Sequence, residues 1–97
     1  MPNDLVIVAL VQAKPGHERA LVQAQAKLVQ VVREQPGCIS YELHEAIDQP
    51  GRVVFFERWL DRTSWERHMR GGHMDAFRAN AGPLIGAFEL LQLRQVA

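Results

Sequence analysis

Three Pro-Gly pairs divide the chain, at Pro15-Gly16, Pro36-Gly37 and Pro50-Gly51, and the hydrophobic pattern changes across each of them. Before the first pair, every position from Leu5 to Val11 is apolar, a run too short to cross a membrane and suited to a buried strand. Between the first and second, "HERALVQAQAKLVQVVREQ" places Leu21, Ala24, Leu28, Val31 and Val32 on one stripe at helical spacing, which predicts an amphipathic helix. Pro36-Gly37 ends it, because proline cannot continue the hydrogen-bond ladder. "CISYELHEA" then alternates, with Ile39, Tyr41 and Leu43 on one face and Ser40, Glu42 and His44 on the other, as a half-exposed strand does.

The turn "DQPG" joins that strand to "RVVFFERWL", which is rich in β-branched and aromatic residues, so the two should form a hairpin. Asp61 or Ser64 can cap the next helix, which carries Trp65, His68 and Met69 on one face until Gly71-Gly72 interrupts it. A second helical piece follows from His73 to about Asn80, with Met74 and Phe77 pointing inward. Gly82-Pro83 closes it, and "AFELLQLRQV" is the last strand.

The order strand, helix, strand, strand, helix, strand predicts a ferredoxin-like α+β fold, one antiparallel sheet with helices on one face. Its length of 97 residues suits a single domain spanning 1–97. The first strand and Val53 to Phe56 are apolar on both faces, yet helices can cover only one. The expected cover for the other face is a second copy, giving a homodimer joined sheet to sheet.

Composition narrows the function. Lys plus Arg equals Asp plus Glu at 11 each, without a block of either sign, which argues against nucleic acid as a partner. Nothing in the pattern suggests a membrane partner or export, and the lone Cys38 fits a reducing compartment, so the expected location is cytoplasmic. No dinucleotide fingerprint, P-loop or C-x-x-C is present, and no cofactor is expected. His68 and His73 are five apart, which on a continuous helix puts them on different faces, and no metal site is expected.

The segments "KPGHERAL", "QPGCISYELHEAIDQPGRVVFFERW" and the later His, His and Phe of "HMRGGHMDAF" resemble the antibiotic biosynthesis monooxygenase family, over roughly Leu5 to Leu93. The resemblance implies a dimeric α+β barrel. It also implies a cofactor-independent monooxygenase acting on a small aromatic quinol or phenol with dioxygen, since a deprotonated quinol can itself pass an electron to dioxygen. Members also include anthrone oxygenases, haem-degrading enzymes and proteins that process a small bacterial signal. The chain departs from two of these patterns. Its first strand lacks the asparagine of the haem-degrading members, and Phe55 stands where the anthrone oxygenases have an asparagine four residues before the strand tryptophan.

The candidate catalytic residues are His68 and Tyr41. An imidazole of ordinary pKa accepts a proton near neutral pH, with a rate that rises as His68 loses its own proton, and the Tyr41 hydroxyl can orient a substrate oxygen. Either can equally be a packed side chain with a satisfied polar tip. Trp59, Trp65, Glu57, His73 and Phe77 are the candidate substrate-binding residues. Both tryptophans can stack on an aromatic ring or fill the core, while His73 and Phe77 suit packing or a lid. Glu57, between Phe55 and Trp59, is expected to pair with an arginine, whether within the chain or across a dimer interface. A pocket between helices and sheet should have His68 and Tyr41 among its walls. Two alternatives remain: a non-oxygenase enzyme acting on a small phosphorylated or carbonyl signal, with Arg58, Arg62 and Arg67 as the nearby cations, or a non-catalytic binding or stress-associated dimer.

Overall fold

A computed structural model describes residues 4–97. Four strands, β1 (Leu5–Ala13), β2 (Cys38–Glu45), β3 (Arg52–Trp59) and β4 (Ile85–Leu93), form one sheet in the order β2-β3-β1-β4. All three neighbouring pairs are antiparallel. The helices are α1 (Glu18–Val32), α2 (Arg62–Met69) and α3 (Gly72–Ala81), and a single 3-10 turn at Gly82–Leu84 leads into β4. This is the ferredoxin-like arrangement that the element order predicts.

The period-two alternation of the strands decides which side chains meet the helices. Ile7, Ala9 and Val11 of β1, Val53, Phe55, Glu57 and Trp59 of β3 and Tyr41 of β2 are buried, and the apolar ones join Leu21, Leu28, Val29 and Val32 of α1 in one continuous core. The opposite face is only partly covered. Val8, Leu10 and Val54 stay half-buried, while Phe56, Leu91 and Leu93 are exposed, so the two-sided apolar pattern of the sequence is present as an apolar sheet face without a helix over it.

Two inward stripes differ from the expected ones. In α1 the buried positions are Leu21, Gln25, Leu28, Val29 and Val32, while Val31 is exposed and Ala24 half-buried. The burial axis is rotated far enough to bring the amide of Gln25 inside. In β2 the pairing with β3 shifts between Cys38 and Ser40, so Cys38 lies opposite Trp59 and Ser40 opposite Arg58. Ile39 is therefore the extra residue of a bulge and is exposed, which leaves Cys38, Tyr41 and Leu43 as the inward side chains.

The segment boundaries follow local chemistry. Asp61 caps α2 by accepting a hydrogen bond from the Ser64 backbone N–H at 2.8 Å. Gly37 has φ +82, a region that L side chains rarely adopt, and a Cβ there would collide with Ser64 Oγ. The turn at Pro36-Gly37 thus sits tight against the start of α2 and sets where β2 enters the sheet beneath it. β4 begins two residues earlier than expected and ends at Leu93.

Candidate functional site

The inward side chains of β2, β3 and α2 converge on one ring cluster. Tyr41 and Glu57 are direct cross-strand neighbours, and Trp59 follows Glu57 on the same strand face. His68, on the inner side of α2, stacks on the Trp59 indole with ring centres 4.8 Å apart and planes 23° from parallel. Tyr41 meets the His68 ring edge-on at 5.7 Å and the Trp59 ring at 6.3 Å, and it packs against Phe55 at 5.6 Å. Of the expected site residues, Tyr41, Glu57, Trp59, His68 and His73 are brought together here.

His68 and His73 do not point to different faces. The helix they would share is broken: α2 ends at Met69, Gly71 has extended backbone with ψ 156, and α3 starts at Gly72. The break folds His73 back, so the two imidazoles stack at 5.2 Å and 26°, with His68 Nδ1 3.0 Å from His73 Nε2. One ring nitrogen of this pair donates and the other accepts.

Glu57 is 5% exposed and its carboxylate accepts a hydrogen bond from Trp59 Nε1 at 2.9 Å. The arginine expected from the sequence is not its partner. Glu57 faces the helices and not the open side of the sheet, so a bridge across a sheet-to-sheet interface does not fit either. Burial pushes its carboxyl up to about 7, only partly opposed by the indole N–H.

The two other titratable members shift with burial as well. His68 is 1% exposed, and desolvation, followed by the fields of His73 and Arg78, pulls it down to about 4. The expected neutral-pH titration of His68 is therefore displaced to acid pH, and the imidazole is neutral throughout the physiological range. Burial, then the charge of Glu57, holds the Tyr41 phenol far above its ordinary value, so it stays protonated. Cys38, at the edge of the cluster, has a thiol raised by the same two influences.

Trp65 and Phe77 lie outside the ring stack. Trp65 is buried on α2 with an indole N–H that has no hydrogen-bond partner among the described residues. Phe77 lines a groove of about 570 Å³ between α1 and α3, together with Ala24, Leu28, Val31, Lys27 and His73. In this groove it is His73, and not His68 or Tyr41, that forms the wall, so the buried pair of catalytic candidates reaches it through the imidazole-imidazole bond.

Gln25 is the site feature that sequence reasoning missed. Its side chain is fully buried on the inner stripe of α1, and neither amide atom has a partner among the described residues. Its signal was present: Leu21, Gln25, Leu28 and Val32 share one helix face. The arginines of the non-oxygenase alternative are placed away from the cluster. Arg58 bonds Asp4 and Gln95, Arg62 bonds Gln92, and Arg67 is exposed.

Comparison with known proteins gives a consistent result. A family model described as antibiotic biosynthesis monooxygenase matches residues 4–80. The crystal structure of PA3566 from Pseudomonas aeruginosa superposes with a TM-score of 0.93 at 30% identity, covering 100% of this chain and 98% of that one. Rv0793 of Mycobacterium tuberculosis superposes with a TM-score of 0.88 at 26% identity, covering 98% and 97%. A sequence relative from Escherichia coli K12, named "Probable quinol monooxygenase YgiN", is 27% identical over 85 residues, covering 75% of this chain and 80% of its own.

Proposed function

The chain belongs to the antibiotic biosynthesis monooxygenase family, and on that premise we propose that it is a cofactor-independent monooxygenase that oxidises a small quinol or phenol with dioxygen. One observation carries the reading: a neutral, buried imidazole, His68, held between an indole and a second imidazole in a ring-lined interior. Such a group is in its free-base form at neutral pH, and aromatic rings of the kind gathered around it pack well on a flat aromatic ligand. The quinol name of the Escherichia coli relative supports the substrate class.

In this mechanism a hydroxyl of the quinol gives its proton to His68. The anion passes one electron to dioxygen, the two radicals combine as a ring peroxide, the proton returns to that peroxide, and loss of water leaves a hydroxylated quinone. All electrons come from the substrate, one oxygen atom enters the product and the other leaves as water. Tyr41, kept protonated by burial, takes the role of donating a hydrogen bond to a substrate oxygen in this reading. Trp59 holds the His68 ring in position, and Glu57 holds the Trp59 ring.

Oxygen-electrode traces with purified protein across a panel of naphthoquinols and benzoquinols test the proposal. Uptake faster than autoxidation is expected, with His68→Gln lowering turnover by about 10² to 10⁴. Uptake equal to autoxidation across the panel removes its support, and an undiminished rate in His68→Gln removes the base assignment.

A further inference from the structure

We infer that His73 is a proton-relay residue, taking the proton that His68 receives inside the ring cluster and releasing it to water in the groove between α1 and α3. The inference rests on the reading of His68 as the proton acceptor and adds the route by which that proton leaves and returns.

The geometry supplies the outer end of the route. His68 is 1% exposed, so a proton it gains cannot pass directly to solvent. Its Nδ1 lies 3.0 Å from Nε2 of His73, a hydrogen-bonding distance, and His73 is half-buried and lines the groove. The proton from the substrate hydroxyl binds His68 Nε2, the Nδ1 proton of His68 passes to His73 Nε2, and the Nδ1 proton of His73 passes to water. One proton has moved and no electrons have. Running the chain backwards resets both tautomers and returns the proton for the peroxide.

The junction between the helices is built around this contact. Gly71 has φ -72 and ψ 156, a conformation open to any residue, so its backbone does not require glycine. What a side chain there would meet is the His73 ring. A Cβ at this position would stand 2.6 Å from His73 Cε1 and 2.9 Å from its Nδ1. The side chain that glycine omits is the one that would push the His73 imidazole off His68. A hydrophobic ring at position 73 would satisfy packing alone. The hydrogen bond between two imidazoles, each able to accept at one nitrogen and donate at the other, is what a relay adds. The charged groups around the pair include Arg78, whose guanidinium donates to Met69 O and to Asp75, and, behind the Trp59 indole, Glu57.

The test reads proton exchange and needs no substrate. In protein labelled with ¹⁵N-histidine, the rate at which the His68 ring proton exchanges with water is measured by NMR in wild type, His73→Phe and Gly71→Ala. Exchange is expected to slow by about tenfold or more in His73→Phe. It should also slow in Gly71→Ala, which keeps both imidazoles and displaces only their contact. Unchanged exchange in a folded variant of either kind overturns the relay, and Gly71→Ala carries the test if His73→Phe does not fold. The two readings separate cleanly. Slowed exchange in a protein that oxidises no quinol keeps the relay and removes the oxygenase reading, and the opposite pattern keeps the oxygenase and removes the relay.

Discussion

Replacing Glu57 by glutamine should change the shape of the stability-pH curve, because Glu57 and His68 impose opposite slopes that cancel in the wild type. Burial moves the Glu57 carboxyl from its ordinary 4.5 to about 7. Between those values the folded protein holds a proton that the unfolded chain has released, so this group's contribution is fully present below pH 4.5 and is lost as pH rises through 7. At about 1.4 kcal/mol for each tenfold change in proton affinity, the loss is roughly 3 kcal/mol. His68 moves from 6.5 down to about 4. Here the folded protein has released a proton that the unfolded chain holds, so the contribution is fully present above pH 6.5 and is lost as pH falls through 4. Its size is again roughly 3 kcal/mol.

The two windows overlap between about 4.5 and 6.5, where the wild-type curve should be nearly flat. Glutamine keeps an oxygen that can accept from Trp59 Nε1 and removes the titration. In Glu57→Gln stability should therefore rise by roughly 3 kcal/mol between pH 4 and pH 6.5, exposing the His68 slope. Above pH 7 the variant should be the more stable protein by up to roughly 3 kcal/mol, since it no longer holds an ionised carboxylate in the core. Urea melts at pH 4.5, 6.5 and 8, with the denaturant slope checked for constancy, measure this. A wild-type curve that already rises steeply from pH 4.5 to 6.5, with Glu57→Gln running parallel to it, would refute the opposed-slope reasoning.

Two further outcomes follow from burial and its absence. The sheet face bearing Val8, Val54, Phe56, Leu91 and Leu93 is expected to pair with a second copy, so sedimentation should show a dimer at micromolar concentration that Phe56→Glu dissociates; a wild-type monomer there removes the sheet-to-sheet arrangement. Gln25→Leu should raise the urea midpoint by the equivalent of roughly 1–3 kcal/mol, because it removes two buried amide atoms without partners among the described residues, and a lowered midpoint would show that the amide is satisfied in solution.

What the sequence made legible was what periodicity and turn chemistry encode. The strand and helix order, the hairpin at Asp48 to Gly51, the cap at Asp61 and the two-sided apolar strands all follow from residue type and spacing. What it concealed has a common cause, since each concealed feature depends on a backbone irregularity or on depth of burial. The bulge at Ile39 moves Cys38 inward without disturbing the alternation that follows. The five-residue spacing of His68 and His73 argues against contact only on an unbroken helix, and the break at Gly71 reverses that conclusion. Gln25 lies on an apolar stripe that a search for apolar residues passes over.

The acid-base assignment shows the second cause most clearly. By residue type His68 is the group poised near neutral pH and Glu57 is a spectator needing a counter-charge. Burial disfavours the charged form of both, and for an acid and a base that moves the pKa values in opposite directions until they cross. Glu57 thereby becomes the group whose charge changes near pH 7, bonded to the very indole on which His68 stacks. An inflection near pH 7 in a pH-rate profile then belongs to Glu57, acting through Trp59 on the position of His68, and not to titration of the base itself. Glu57→Gln separates the two assignments: loss of the inflection with turnover retained identifies the carboxyl as its source, and an inflection that persists in the variant assigns it elsewhere.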